Sequence, residues 1–76
     1  MEIQDFIQHF AEQLEDTDIN NLSPETSFRD LDEWSSIIGL SIILMIDEEY
    51  CITIGADEMK MAQTIEELFN IVKSKE

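Results

Sequence analysis

Leu31-Asp32-Glu33-Trp34-Ser35-Ser36-Ile37-Ile38-Gly39-Leu40-Ser41-Ile42-Ile43-Leu44-Met45-Ile46-Asp47-Glu48-Glu49-Tyr50 is the stretch on which the reading of this chain turns. From Ile37 to Ile46 apolar residues fill nearly every position, broken only by Gly39 and Ser41. A run that long and that apolar predicts a helix over 37–50 with no strong polar face. Such a helix sits at the centre of a core or shows part of its apolar surface to a partner. Ser35 and Ser36 stand where loop gives way to helix, and serine is a strong helix starter because its hydroxyl accepts from a first-turn amide. Asp47-Glu48-Glu49 puts negative charge at the C-terminal end, where it opposes the helix dipole at roughly 0.3–1 kcal/mol per charge. A local rule broken without a folding gain points to function.

Working outward, Ile3, Phe6, Ile7, Phe10, Ala11 and Leu14 recur at helical spacing and predict an amphipathic first helix over 2–14. On the C-terminal side, Cys51-Ile52-Thr53-Ile54 reads as an extended connector with no second strand to pair with. Gly55 ends it, and 56–61 predicts a brief helix. Thr64 and Glu67 form a capping box, followed by the stripe Ile65, Leu68, Phe69 and Val72, so a last helix runs to about residue 73. Between the first two helices, 15–35 is rich in Asp, Asn, Ser and Thr and lacks a period. It reads as a long ordered loop pinned by Ile19, Leu22, Phe28 and Leu31, with one short helical turn opened by Ser23-Pro24-Glu25. The predicted fold is all-α, a small four-helix bundle of three longer helices and one short one in a single domain, 1–76.

The chain carries 18 Asp and Glu against 4 Lys and Arg, a net charge of −14 over 76 residues. Residues 1–58 hold 15 of the acids and one cation, Arg29, while 59–76 is neutral. That balance repels phosphate backbones and anionic headgroups, which argues against nucleic acid or a membrane surface and favours basic protein partners. No signal peptide is read at the N-terminus, and the apolar run of 37–46 is too short to cross a bilayer. With a single cysteine, Cys51, no internal disulfide can form, which fits a reducing compartment. A soluble, cytoplasmic protein is expected, and a monomer.

Catalytic and metal readings fare poorly. Asp16, Asp18 and Asn20 have the alternate spacing that opens a calcium loop, but Asn21 and Ser27 occupy the positions where that geometry requires glycine and glutamate. No carboxylate is paired with a histidine by any motif, and Gly39 and Gly55 do not make a phosphate cradle. His9 lies off the apolar stripe and reads as a solvated surface residue; Cys51, beside an acidic run that disfavours a reactive thiolate, reads as a core thiol. Neither a metal site nor catalysis of its own is expected.

From Phe28 to Val72 the chain resembles the acyl carrier protein family. The residues that carry the resemblance are Phe28, the run Leu31 to Ile37, Asp47 to Tyr50 closing the second helix, then Ile52, Ile54 and Thr64-Ile65. The family hallmark is Asp-Ser-Leu at the start of the second helix, its serine bearing 4′-phosphopantetheine; here the positions read Ser35-Ser36-Ile37. The resemblance implies that Ser36 is the attachment site and that Ser35, in the aspartate's place, keeps the capping role. It implies an acyl carrier, not an enzyme, modified by a phosphopantetheinyl transferase that uses coenzyme A. Cargo held on the arm as a thioester would pass between acyl-loading and acyl-transfer enzymes with basic surfaces, in fatty-acid or in specialised polysaccharide or lipid biosynthesis. Ile37 and Leu44 would form an exposed apolar strip, and Asp47 and Glu48 the charges offered to a partner. The tryptophan before the motif is similar to that of carriers for specialised pathways and of D-alanyl carriers. An aminoacyl, D-alanyl or peptidyl carrier is therefore the neighbouring reading. An acidic helical interaction module, or a degenerate carrier without the arm, is the reading from another class.

Overall fold

The computed structural model describes residues 2–76; Met1 lies outside the described residues. Four helices follow in order: α1 (Ile3–Glu12), α2 (Ser36–Tyr50), α3 (Ala56–Met61) and α4 (Ile65–Ser74). No strand occurs among the described residues, so the chain is an all-α bundle of three longer helices and one short one. One apolar core collects Phe6, Ile7 and Phe10 from α1 with Leu14 just past its end, Ile42, Met45 and Ile46 from α2, and Ile65, Leu68, Phe69 and Val72 from α4. The first helix stops at Glu12, two residues short of its predicted reach. The expected stripes of α1 and α4 are the buried ones. The capping box at the head of α4 is present, with Thr64 Oγ1 accepting from the Glu67 amide at 3.1 Å and Glu67 Oε1 accepting from the Thr64 amide at 3.0 Å.

The long loop is more structured than its composition suggests. It contains two single 3₁₀ turns, Ile19–Asn21 and Phe28–Asp30. The first is capped by Asp18, whose side chain accepts from the Asn20 amide at 3.0 Å. Ser23-Pro24-Glu25 forms a hydrogen-bonded turn closed by the Thr26 amide on the Ser23 carbonyl at 3.0 Å, not the helical opening its serine–proline pair predicts. Leu22 and Phe28 are buried and Leu31 packs against the core, but Ile19 is 41% exposed and does not pin the loop. The loop's second anchor is the start of α4: the amides of Ile65 and Glu66 donate to the carbonyls of Thr26 and Pro24 at 3.1 and 2.9 Å. These bonds satisfy donors that a helix start leaves free. Within the loop, Glu33 reaches back to accept from the amides of Glu15 and Asp16 at 3.1 and 3.0 Å.

Aromatic packing fixes where the loop ends. Phe28 lies between Phe10 of α1 and Trp34, with ring centroids 5.7 and 4.9 Å away, and Phe10 and Trp34 are near-parallel at 8°. Pairs in this range add about 0.5–1.5 kcal/mol beyond area burial. They hold Trp34 one residue before the cap of α2, which sets the place of everything that follows.

The connector 51–54 alternates as an extended segment does, with Ile52 and Ile54 buried and Cys51 and Thr53 exposed. Cys51 is therefore not the core thiol expected. It is the C-cap of α2 in the left-handed conformation (φ 56°, ψ 35°), and that backbone turn points its side chain to solvent. His9 departs from expectation in the other direction. It is half-buried, with Nδ1 3.0 Å from the Tyr50 hydroxyl and Nε2 3.3 Å from Glu49 Oε2, so it joins α1 to the end of α2.

Candidate functional site

α2 begins at Ser36 because Ser35 caps it. Ser35 is extended (φ −155°, ψ 172°), and its Oγ accepts from the Ile38 amide at 3.3 Å. The Gly39 amide closes the first turn on the Ser35 carbonyl at 2.9 Å. The amides of Ser36 and Ile37 have no acceptor among the described residues. Ser36 is exposed, so its hydroxyl stands at the positive end of a 15-residue helix with two donors beside it. Such an end favours an anion.

The outer face of α2 follows from which of its residues the core takes. Ile42, Met45 and Ile46 face inward. Ile37, Leu40 and Leu44 remain 76%, 58% and 53% exposed. Their spacing puts them in one stripe, and Asp47 and Glu48, both exposed, continue it toward the C-terminus. Of the three acids that oppose the dipole, Glu49 has His9 as partner, whereas Asp47 and Glu48 have no basic partner among the described residues. The structure thus brings Ser36, Ile37, Leu44, Asp47 and Glu48 onto one helix face and adds Leu40 between them.

An open groove of about 580 Å³ runs beside this face. Ser36, Gly39, Leu40 and Ile43 of α2 form one wall; Met59 and Lys60 of α3 help form the other; Trp34 and Arg29 belong to the loop. Gly39 leaves room here: a Cβ on it would stand 3.4 Å from Trp34 Cζ2. Arg29 Nη2 donates to the Met59 carbonyl at 2.6 Å, which ties the second 3₁₀ turn to α3. Lys75 of the C-terminal end pairs with Glu58 at 2.9 Å and holds α3 from the other side. Of this groove, the sequence pointed to Ser35 and Ser36 and, through the resemblance, to Trp34. The usable signals for the rest were Gly39 inside a predicted helix and a lone arginine among fifteen acids.

Three glutamates have their carboxyls held below the ordinary value of 4.5, each by hydrogen bonds to the charged form. The donors to Glu33 are first the Thr17 side chain and then backbone amides including that of Asp16. Those to Glu58 are Lys75 and the Gly55 amide, and those to Glu67 the amides of Gln63 and Thr64. Burial, followed by the charges of Asp5 and Glu49, pushes the Tyr50 hydroxyl up, so it stays protonated beside His9. These groups brace the loop and helix ends. Among the described residues no three His, Cys, Asp or Glu gather as they would around a metal ion, and no helix is long and apolar enough to cross a membrane. No protein-family model, curated protein or solved structure matches this chain.

Proposed function

We propose that this protein is an acyl carrier whose Ser36 hydroxyl bears 4′-phosphopantetheine. The observation that carries the proposal is the placing of Ser36: an exposed hydroxyl at the first position of α2, next to two amides without acceptors and at the edge of an apolar groove. A phosphodiester fits there, since free amides and the helix dipole both favour negative charge. The arm ends in a thiol that holds an acyl group as a thioester. In the transferase, the Ser36 oxygen would attack the phosphorus of coenzyme A nearest the pantetheine. A new P–O bond to Ser36 forms, the pyrophosphate P–O bond breaks, adenosine 3′,5′-bisphosphate leaves, and the hydroxyl proton passes to a base of the transferase. Ser35 keeps the helix start in place, and Ile37, Leu40 and Leu44 give a partner enzyme an apolar strip that ends in Asp47 and Glu48. Partners with basic surfaces are steered by those charges. The carrier supplies no catalysis of its own and acts as a cosubstrate of enzymes in lipid or polysaccharide assembly. An exposed, unpaired Cys51 suits a reducing cytoplasm.

Mass spectrometry after incubation with coenzyme A and a promiscuous phosphopantetheinyl transferase tests this. Wild type and Ser35→Ala should each gain one arm, and Ser36→Ala should stay at its apo mass while remaining helical. Ser35→Asp should be modified at least as fast as wild type. An arm on Ser36→Ala would refute the assignment to that serine. No arm on any variant with several transferases would leave the chain an acidic interaction module.

A further inference from the structure

This inference rests on the carrier reading and concerns the cargo. Only four side chains of the protein are Lys or Arg. Lys75 is paired with Glu58, and Lys73 lies 6.0 Å over the Phe69 ring. Neither Lys73 nor the other two, Arg29 (itself 6.0 Å over the Phe28 ring) and Lys60, has a carboxylate partner among the described residues, and of these three only Arg29 and Lys60 line the groove that begins at Ser36. Arg29 spends one donor on the Met59 carbonyl, and a guanidinium has five. Its remaining donors and the Lys60 ammonium are left for a ligand. The intervening lining is apolar, from Trp34, Leu40, Ile43 and Met59. The volume is within the range of small-ligand sites.

We propose that the groove receives an acyl chain that ends in a carboxylate, its methylenes against Trp34, Leu40 and Ile43 and its free acid between Arg29 and Lys60. The phosphodiester at Ser36 is a less suitable occupant of the two cations. It has the free amides of α2 beside it, while Arg29 and Lys60 approach from the loop and from α3. Elsewhere a chain of net charge −14 repels a carboxylate, so binding in this groove selects for such cargo. Arginine suits the task because its fork matches a carboxylate's two oxygens.

The test loads the protein from hexanoyl- and adipoyl-coenzyme A, two six-carbon chains that differ in the terminal carboxylate. Two readouts are taken: the rate of thioester cleavage by hydroxylamine, and the NMR shift of the Trp34 indole N–H. The adipoyl form should be cleaved roughly three- to tenfold more slowly than the hexanoyl form at low salt, the range for one partly exposed charge-assisted contact. The advantage should shrink in high salt and in Lys60→Gln, whose exposed side chain is not needed for folding, and vanish in Arg29→Gln with Lys60→Gln. Equal protection of the two cargoes, or an advantage that survives the double substitution, overturns the proposal. If the mass spectrum shows that no arm is attached, the carrier reading itself has failed. The groove is then tested on the unmodified protein with the N-acetylcysteamine thioesters of the same two acids, followed by Trp34 fluorescence. Tighter binding of the adipoyl thioester supports the cation pair, and equal or weaker binding refutes it.

Discussion

Replacing Gly39 with alanine should stabilise the protein while narrowing the groove. Gly39 is in the interior of α2, where glycine costs roughly 0.5–1 kcal/mol relative to alanine through backbone entropy. The added methyl would stand 3.4 Å from Trp34 Cζ2 and 3.7 Å from Cη2, ordinary contact distances that require little movement of the ring. The propensity gain is therefore kept nearly whole. For a domain of this size each kcal/mol moves the melting temperature by about 4–8 °C, so Gly39→Ala should melt roughly 2–8 °C higher than wild type. Thermal unfolding followed by circular dichroism, with a urea titration at fixed temperature, measures it; the midpoint should rise with the slope unchanged. A melting temperature equal to or below that of wild type would refute the reasoning, because it would mean that the Trp34 ring cannot accept the methyl. The same variant, loaded with cargo, should protect its thioester less than wild type, because the methyl occupies the groove wall.

The charge balance of −14 makes salt a stabiliser: screening over about 8 Å at physiological ionic strength should raise the melting temperature in sodium chloride, with magnesium acting at lower concentration, and a flat or falling trend would contradict it. Glu33, held below its ordinary 4.5 by Thr17 and the amides of the loop, stabilises the fold above that value and loses this contribution as pH falls through its lowered folded value. Glu33→Gln should accordingly be less stable than wild type at neutral pH, with the gap closing as the pH falls through the lowered folded value in urea titrations at each pH. Glu48→Lys should slow association with a basic partner enzyme at low salt and leave the helical content intact, even raising stability slightly by favouring the α2 dipole; unchanged association kinetics in stopped flow would remove this face from consideration.

Where side chains repeat with a clear period, the sequence was sufficient. Phe6, Phe10 and Leu14, or Ile65, Leu68 and Val72, have polar neighbours that leave only one face to bury, so the helix and its orientation are read together. α2 offers no such contrast. Its apolar residues surround the axis, and the choice of Ile42, Met45 and Ile46 as the buried set comes from how α1 and α4 pack against it. Ile37 and Leu44 were reached through the family resemblance, and Leu40, on the same stripe, was not. Contacts across long separations were illegible for a related reason: His9 reads as solvated until Tyr50, forty-one positions away, is placed beside it. Cys51 reads as a core thiol because the acidic run before it disfavours a reactive one, yet α2 ends on one residue in the left-handed conformation, and that turn carries the thiol outward.

The positions where this chain departs from what folding alone would select lie close together. Glycine interrupts a helix at 39, two acids oppose the same helix's dipole at 47 and 48, three large apolar side chains face solvent at 37, 40 and 44, and the two groove cations at 29 and 60 have no carboxylate partner among the described residues. None of these strengthens the core. Stability comes instead from the inner face of α2, the aromatic cluster around Phe28 and the bonds at the head of α4. This division lets one helix serve two purposes, because a face that the core does not use can be shaped for a ligand and a partner with little effect on folding. The Gly39→Ala substitution separates the two purposes: if the groove exists only as a packing fault, filling it gains stability and changes nothing else, whereas a groove that holds cargo loses that cargo's protection in the same variant that melts higher.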